Sequence, residues 1–542
     1  MRDGVAVGAR RPGLGANAPR PELGANAPRR LGSGANAPQP RLELRAEHGD
    51  DAVEAFWTHY RRRREPLRSA VAQLAELALS SAPDRARHGT RLLFREIVEP
   101  LCDAFTAEAA EAYRRTFAQV VSAARETGEC RGIDVALSAR GVRAESDLLR
   151  RRAAYLGPVP PADRARVRRV TVLSRLTLGA DVAICLPVLA HAARLFPSAE
   201  LRFVGGEGAR VVAGAVPGVE HVLAAYGRHD DLRDRLNAWL GVCAAVMDGG
   251  PSHPGASIVV DPDSRLTQLG LLPPVAWRDY FHFPSRTYGA AEAAPLAELA
   301  ARWVDETFGG ERSGVGPADG AHRRRAPALV LARADADWAA RLGAALRGSA
   351  RRRVASVSFG VGGNDRKRVG ADFEAELLEW MVGRGWRVLL ARGAGRDEVE
   401  RTSALGARLA DRGLDVLHLG TGRTLEGLRD RDPDVVTWEA DVGAFLAAIA
   451  CADVYVGYDS AGQHLAAALG VPTLSVFVAA AGERHATRWT PRGRGPIRVV
   501  RAPWPPDARA VLESARAALS ALAPPGAFLV EARARAGAPA VR

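Results

Sequence analysis

The chain has 542 residues, 47% of them hydrophobic, which is too many for one core and suits two or three domains. Its formal charge of +13 comes from 75 basic residues interleaved with 62 acidic ones, and with no recognisable nucleic-acid module this argues against a nucleic-acid binder. Five scattered cysteines, odd in number and without a CxxC pair, argue against a disulfide framework or a metal site.

Residues 1–45 carry Gly-Ala-Asn-Ala-Pro three times, at Gly15, Gly24 and Gly34, and are expected to be a disordered tail. Residues 46–160 read as a helical domain. Val71, Leu74, Ala75, Ala78 and Leu79 form one apolar stripe, and Leu93, Ile97, Leu101 and Phe105 another. The run Arg61 to Arg64 is a solvated helix face or a surface for an acidic protein partner. A proline-rich hinge at Gly157 to Pro161 follows, and then the pattern changes.

In residues 165–320 short buried-strand runs alternate with helices: strands at 170–174, 201–204 and 257–261, helices at 182–196 and 230–247. A second alternating block occupies 328–500, with strands at 354–359, 386–391, 415–419, 454–457 and 473–477, and helices at 372–383 and 398–409. A Gly-, Pro- and Arg-rich link at about 309–327 joins the blocks, and 501–542 is a C-terminal helix and tail. The predicted fold class is α/β, with two Rossmann-like domains facing a cleft and an added N-terminal helical domain. Ligands in such folds bind at the carboxyl ends of the strands. No apolar run of membrane-spanning length stands out and the N-terminus lacks a signal-peptide core, so a cytoplasmic protein with at most peripheral membrane contact is expected.

Two stretches carry chemistry. Ser358 to Arg368 is glycine-rich, with Gly362 and Gly363, and ends on Lys367, the single lysine among the 75 basic residues. An ammonium is a compact point charge suited to a phosphate, where a guanidinium is a planar fork. In Ala452 to Phe477 a buried strand ends at Asp459 and a helix follows. Its free N–H groups and positive dipole end suit an anion. Ser460 caps that helix, Gly462 permits close approach, and His464 lies in its first turn. Asp459 and Ser460 as plain helix caps, and His464 as a structural histidine, are the alternatives.

Asp459, Ser460, His464 to Ala468, Gly470, Pro472 and Thr473 resemble the signature of glycosyltransferase family 9, the bacterial heptosyltransferase-like enzymes. Ala461 stands where that family often has glycine, with Gly462 displaced by one. The resemblance covers about residues 168–500 and implies a GT-B architecture. It implies that Lys367 contacts the donor phosphates with Asp459, Ser460, Ala461, Gly462 and His464. It also implies an acidic residue reaching the nucleotide ribose, for which Glu398 and Asp397 both qualify. Leu178-Gly-Ala-Asp-Val182 with Pro187 resembles the family's first-domain turn, with Ala180 inserted, and makes Asp181 the candidate general base. A first-turn acid favoured by the helix dipole is the other reading of Asp181.

By this resemblance the chain transfers a sugar from a nucleoside-diphosphate donor, an ADP-activated heptose in the family, to a glycan or other hydroxyl acceptor. Transfer would be inverting, metal-independent and without a cofactor. A catalytically silent nucleotide-sugar-binding scaffold and a sugar-nucleotide epimerase are the alternatives. Asp261-Pro-Asp263 resembles a metal-binding Asp-x-Asp only superficially. It reads as turn chemistry, or with Arg265, Ser285 and Arg286 as part of an acceptor site.

Overall fold

The computed structural model describes residues 43–156, 165–227, 230–249, 253, 255–309, 328–393, 395–428, 430–439, 441–479 and 482–523. Most of the N-terminal tail, the proline-rich hinge, the link between the blocks and the last 19 residues (524–542) lie outside them. Contacts divide the chain into Met1–Ala46, of which only the start of a helix at Glu43–Arg63 is described, and Glu47–Arg542.

The first α/β block is a parallel five-stranded sheet. Its strands are β1 (Arg169–Leu173), β2 (Glu200–Gly205), β3 (Val219–Leu223), β4 (Ser257–Asp261) and β5 (Tyr280–His282), in the order β3-β2-β1-β4-β5. Val170 pairs with Leu201 on one side and Ile258 on the other. The central strands β1 and β4 are buried on both faces, which explains their largely apolar sequences. After β1 the chain turns helical from Leu178 to Leu195, with a widened turn at Asp181–Cys185 just before Pro187, which has no N–H to continue the ladder. Contrary to expectation, Leu178–Leu195 is by length and hydropathy apolar enough to cross a membrane. It is 78% buried inside the protein, so the first core accounts for its composition.

The second block is a parallel seven-stranded sheet: β6 (Arg353–Ser358), β7 (Trp386–Ala391), β8 (Val416–Thr421), β9 (Val435–Glu439), β10 (Val454–Tyr458), β11 (Thr473–Val478) and β12 (Ile497–Ala502), in the order β12-β11-β10-β6-β7-β9-β8. The order reverses between β6 and β10, and in the first sheet between β1 and β4. Those switch points open crevices at the strands' carboxyl ends. The helix Ala508–Leu522 is part of this block: Val511, Leu512, Ala515 and Leu519 share a core with β6, β10 and β11.

The helical segment shares its core with the first block. Phe56, Val71, Leu74, Leu93, Ile97 and Phe117 are continuous with Leu232, Leu236 and Trp239 of the helix Leu232–Met247 and with Leu271 and Leu272. Leu101 belongs to this cluster, whereas Phe105, expected on the same stripe, is buried in the core of the first sheet.

Candidate active site

The second sheet's switch point brings the two chemically marked stretches together. Gly457 of β10 pairs with Ser358 of β6, so the loops leaving both strands start side by side. After β6, Gly362 (φ +64°) and Gly363 (φ +85°) take left-handed conformations that side chains disfavour, turning the chain into the short helix Asp365–Lys367. Arg368 is clamped by Glu374 through bonds of 3.0 and 2.8 Å, and Glu374 also accepts from the Tyr458 hydroxyl at 3.0 Å. Lys367 is thereby held with Nζ 2.7 Å from Asp459 Oδ2.

Asp459 is 7% exposed and takes further bonds from Gln463 Nε2 at 2.9 Å and His485 Nε2 at 3.1 Å. Burial works against its charge, but Lys367 and His485 outweigh it and hold the carboxyl far below the ordinary range. Burial likewise opposes the Lys367 charge, and the carboxylates of Asp459, Asp103 and Glu99 raise its pKa in net. The ion pair is therefore fully charged at neutral pH.

Ser460 stands at the N-cap of the helix Ala461–Ala468 with extended backbone, but its side chain makes no capping bond. Gly462 packs on Tyr455: a Cβ there would fall 2.6 Å from Tyr455 Cζ, so this glycine is needed for packing against β10. His464 is buried, with its ring 5.9 Å from that of Trp489, and burial pushes its pKa down to about 4. It is neutral at physiological pH and adds no positive charge for a phosphate; any bond it makes there is that of a neutral imidazole.

Glu398 accepts from the N–H groups of Val361 and Gly362, both at 3.0 Å, and lies against Gly360, where a Cβ would sit 3.1 Å from its Oε1, and Gly393, where one would fall 2.5 Å from its Cβ. It braces the glycine-rich loop. Asp397 is exposed in the first turn of the helix Arg396–Asp411.

In the first block Asp181 is 2% exposed. Its Oδ2 accepts from Ser174 Oγ at 2.7 Å, and its Oδ1 from Arg175 N at 2.6 Å and Cys185 Sγ at 3.3 Å. Burial, against those bonds, pushes its pKa up to about 6. Arg175 donates to Pro262 O and Ser285 Oγ and lies 6.0 Å over the Trp489 ring of the other block. Asp261 accepts from Ser264 N, Thr267 Oγ1 and Tyr280 Oη, which is turn chemistry. Asp263 pairs with Arg286 at 2.8 Å and accepts from Ser285 at 2.7 Å.

His485, in the short helix Glu483–Arg488 after β11, carries no local sequence signal and was not anticipated. Only the fold brings it to Asp459. The same holds for Asp103 of the helical segment, whose Oδ1 lies 3.6 Å from His485 Nδ1.

Two parallel α/β blocks, with a buried lysine–aspartate pair at the switch point of the second, are the features to compare with known proteins. Residues 435–496 match the model of glycosyltransferase family 9 (heptosyltransferase). The match includes Asp459 to His464 and His485 and leaves out Lys367 and Asp181. No curated protein matches the chain. Among solved structures, the glycosyl transferase family 9 protein from Veillonella parvula DSM 2008 is 13% identical, over 62% of this chain and 86% of that one, with a TM-score of 0.44. The E. coli heptosyltransferase WaaC with ADP is 17% identical, over 65% and 99%, with a TM-score of 0.41. E. coli ADP-heptose lps heptosyltransferase II is 15% identical, over 65% and 98%, also at 0.41.

Proposed function

We propose that the chain transfers a sugar from a nucleoside-diphosphate donor, an ADP-activated heptose or a close relative, to a hydroxyl of a glycan acceptor. The observation that carries this reading is the Lys367–Asp459 pair at the second switch point, beside the start of the helix Ala461–Ala468. An anionic leaving group needs fixed positive potential, and Lys367 with the free N–H groups of that helix supplies it without a metal.

In the step proposed, the acceptor oxygen attacks the anomeric carbon from the face opposite the diphosphate. The bond from that carbon to the phosphate oxygen breaks, the nucleoside diphosphate leaves with the electron pair, and the acceptor proton passes to Asp181. A carboxyl whose pKa burial pushes up to about 6 suits that task at neutral pH. Asp181 Oδ1 already accepts two bonds and Oδ2 one, so the acceptor hydroxyl has to reach the remaining lone pair of Oδ2 or displace Ser174 Oγ. Inversion at the anomeric carbon follows from single displacement.

The test is release of ADP from ADP-heptose with lipopolysaccharide-core acceptors, with the product anomer read by NMR. Acceptor-dependent release with an inverted anomer is the expected result. ADP-heptose that binds and is never turned over would favour the silent scaffold, and isomerised donor without acceptor would favour the epimerase.

A further inference from the structure

The helical segment meets the donor site at one turn. Between the helices Glu99–Asp103 and Ala107–Arg125, Phe105 takes a left-handed backbone (φ +51°), which a bulky residue adopts only when its surroundings hold it. They do so from both blocks. The Phe105 ring is 1% exposed within the first block's core, with the Arg286 guanidinium 6.0 Å from its centroid. From the second block, Arg484 NH1 donates to Phe105 O at 2.8 Å, and the His485 ring lies edge-on at 6.2 Å. Thr106 then caps the next helix by accepting from Ala109 N at 3.2 Å, fixing the turn on its other side.

This turn places Asp103 behind His485. His485 Nε2 bonds Asp459 Oδ2, the oxygen that also receives Lys367 Nζ, while His485 Nδ1 is buried and makes no hydrogen bond, and the carboxylate oxygen Asp103 Oδ1 faces it at 3.6 Å. An imidazole held from one side only can rotate away from Asp459, and Asp459 would then hold Lys367 alone and more tightly, away from a phosphate.

We infer that the helical segment is a third wall of the donor site, with Asp103 as a positioning residue that orients His485, and through it Asp459 and Lys367, for the donor diphosphate. The inference rests on the reading of Lys367 as the phosphate-binding group. It assigns the segment a role inside the active site, in place of docking a separate protein.

The experiment is calorimetric titration of ADP into the full chain, together with the melting temperature of each unliganded protein. Asp103 is a third exposed, so Asp103→Ala is expected to leave the unliganded melting temperature within about 2 °C while weakening ADP about fivefold. Asp103→Glu should recover most of that loss. In a His485→Gln background, Asp103→Ala should add nothing, because the two act as one unit. ADP binding by Asp103→Ala as tight as wild type or tighter would overturn the inference. So would losses that simply add in the double variant, or a fall in ADP affinity that only tracks a fall in melting temperature. Wild-type protein that binds no nucleoside diphosphate would overturn the phosphate reading itself, and that failure shows before any variant is made.

Discussion

Gly179 of the first block packs against Ala461 of the second: a Cβ added at Gly179 would fall 2.9 Å from Ala461 Cα and 3.3 Å from its backbone nitrogen. The turn that carries Asp181 and the helix start beside Asp459 are therefore in direct backbone contact. At this contact the displaced glycine of the family-like signature has a local counterpart, since the methyl of Ala461 already lies 3.4 Å from the position of such a Cβ.

Gly179→Val pushes these backbones apart. The expected outcome is a stability loss of about 1–3 kcal/mol in denaturant titration, together with weaker binding of nucleoside diphosphates, because the cleft no longer closes. Unchanged stability would mean that the two blocks do not meet at this point in solution.

Lys367→Ala removes the ammonium from a buried partner. A single preorganised charged contact to a developing anion is worth a few kcal/mol, so turnover is expected to fall by roughly two orders of magnitude or more. Lys367→Arg should recover little, because the planar fork does not fit a pocket formed around Asp459 Oδ2. Steady-state rates of ADP release check both.

Much of this was legible in the sequence. Strands such as Ser257–Asp261 and Trp386–Ala391 were legible because burial on both faces demands mostly apolar residues, here Ile258–Val260 and Val388–Ala391. Lys367 and Asp459 were legible through composition and a local signature. The edge strand Val219–Leu223 was missed because it is only partly buried, and β5 because three residues carry no period. His485 and Asp103 were missed because nothing local marks them; 382 positions of chain separate two residues that the fold sets 3.6 Å apart. Glu398 and Asp397 both qualify as a ribose contact in the sequence because an acid at a helix start after a strand has more than one use, and the bonds of Glu398 to Val361 and Gly362 are decided by the loop's path.

That distinction is measurable. With Glu398 acting as the loop's brace, Glu398→Ala should weaken ADP and 2′-deoxy-ADP by the same factor and cost about 1–3 kcal/mol of stability, since two N–H groups lose their acceptor. A loss confined to ADP would identify Glu398 as a ribose contact instead.

Asp181 gives a pH dependence with a definite sign. Its folded pKa of about 6 lies above the ordinary 3.8, so its carboxyl favours the folded state fully below about pH 4, and that contribution is lost as pH rises through 6. The loss amounts to about 3 kcal/mol by pH 8. Urea midpoints of wild type and Asp181→Asn should diverge in favour of the variant over that interval, and parallel curves would show that Asp181 is not desolvated as described.

On the proposed function, the crevice between β6 and β10 binds a nucleoside diphosphate through Lys367. The most direct measurement is a thermal-shift titration of the full chain with ADP, UDP and GDP, alongside Lys367→Ala, since a ligand that binds only the folded state raises the melting temperature. ADP is expected to stabilise the wild type, UDP and GDP are not, and Lys367→Ala is expected to lose the response. A wild type indifferent to all three nucleotides, or a Lys367→Ala protein that still responds fully, would contradict it.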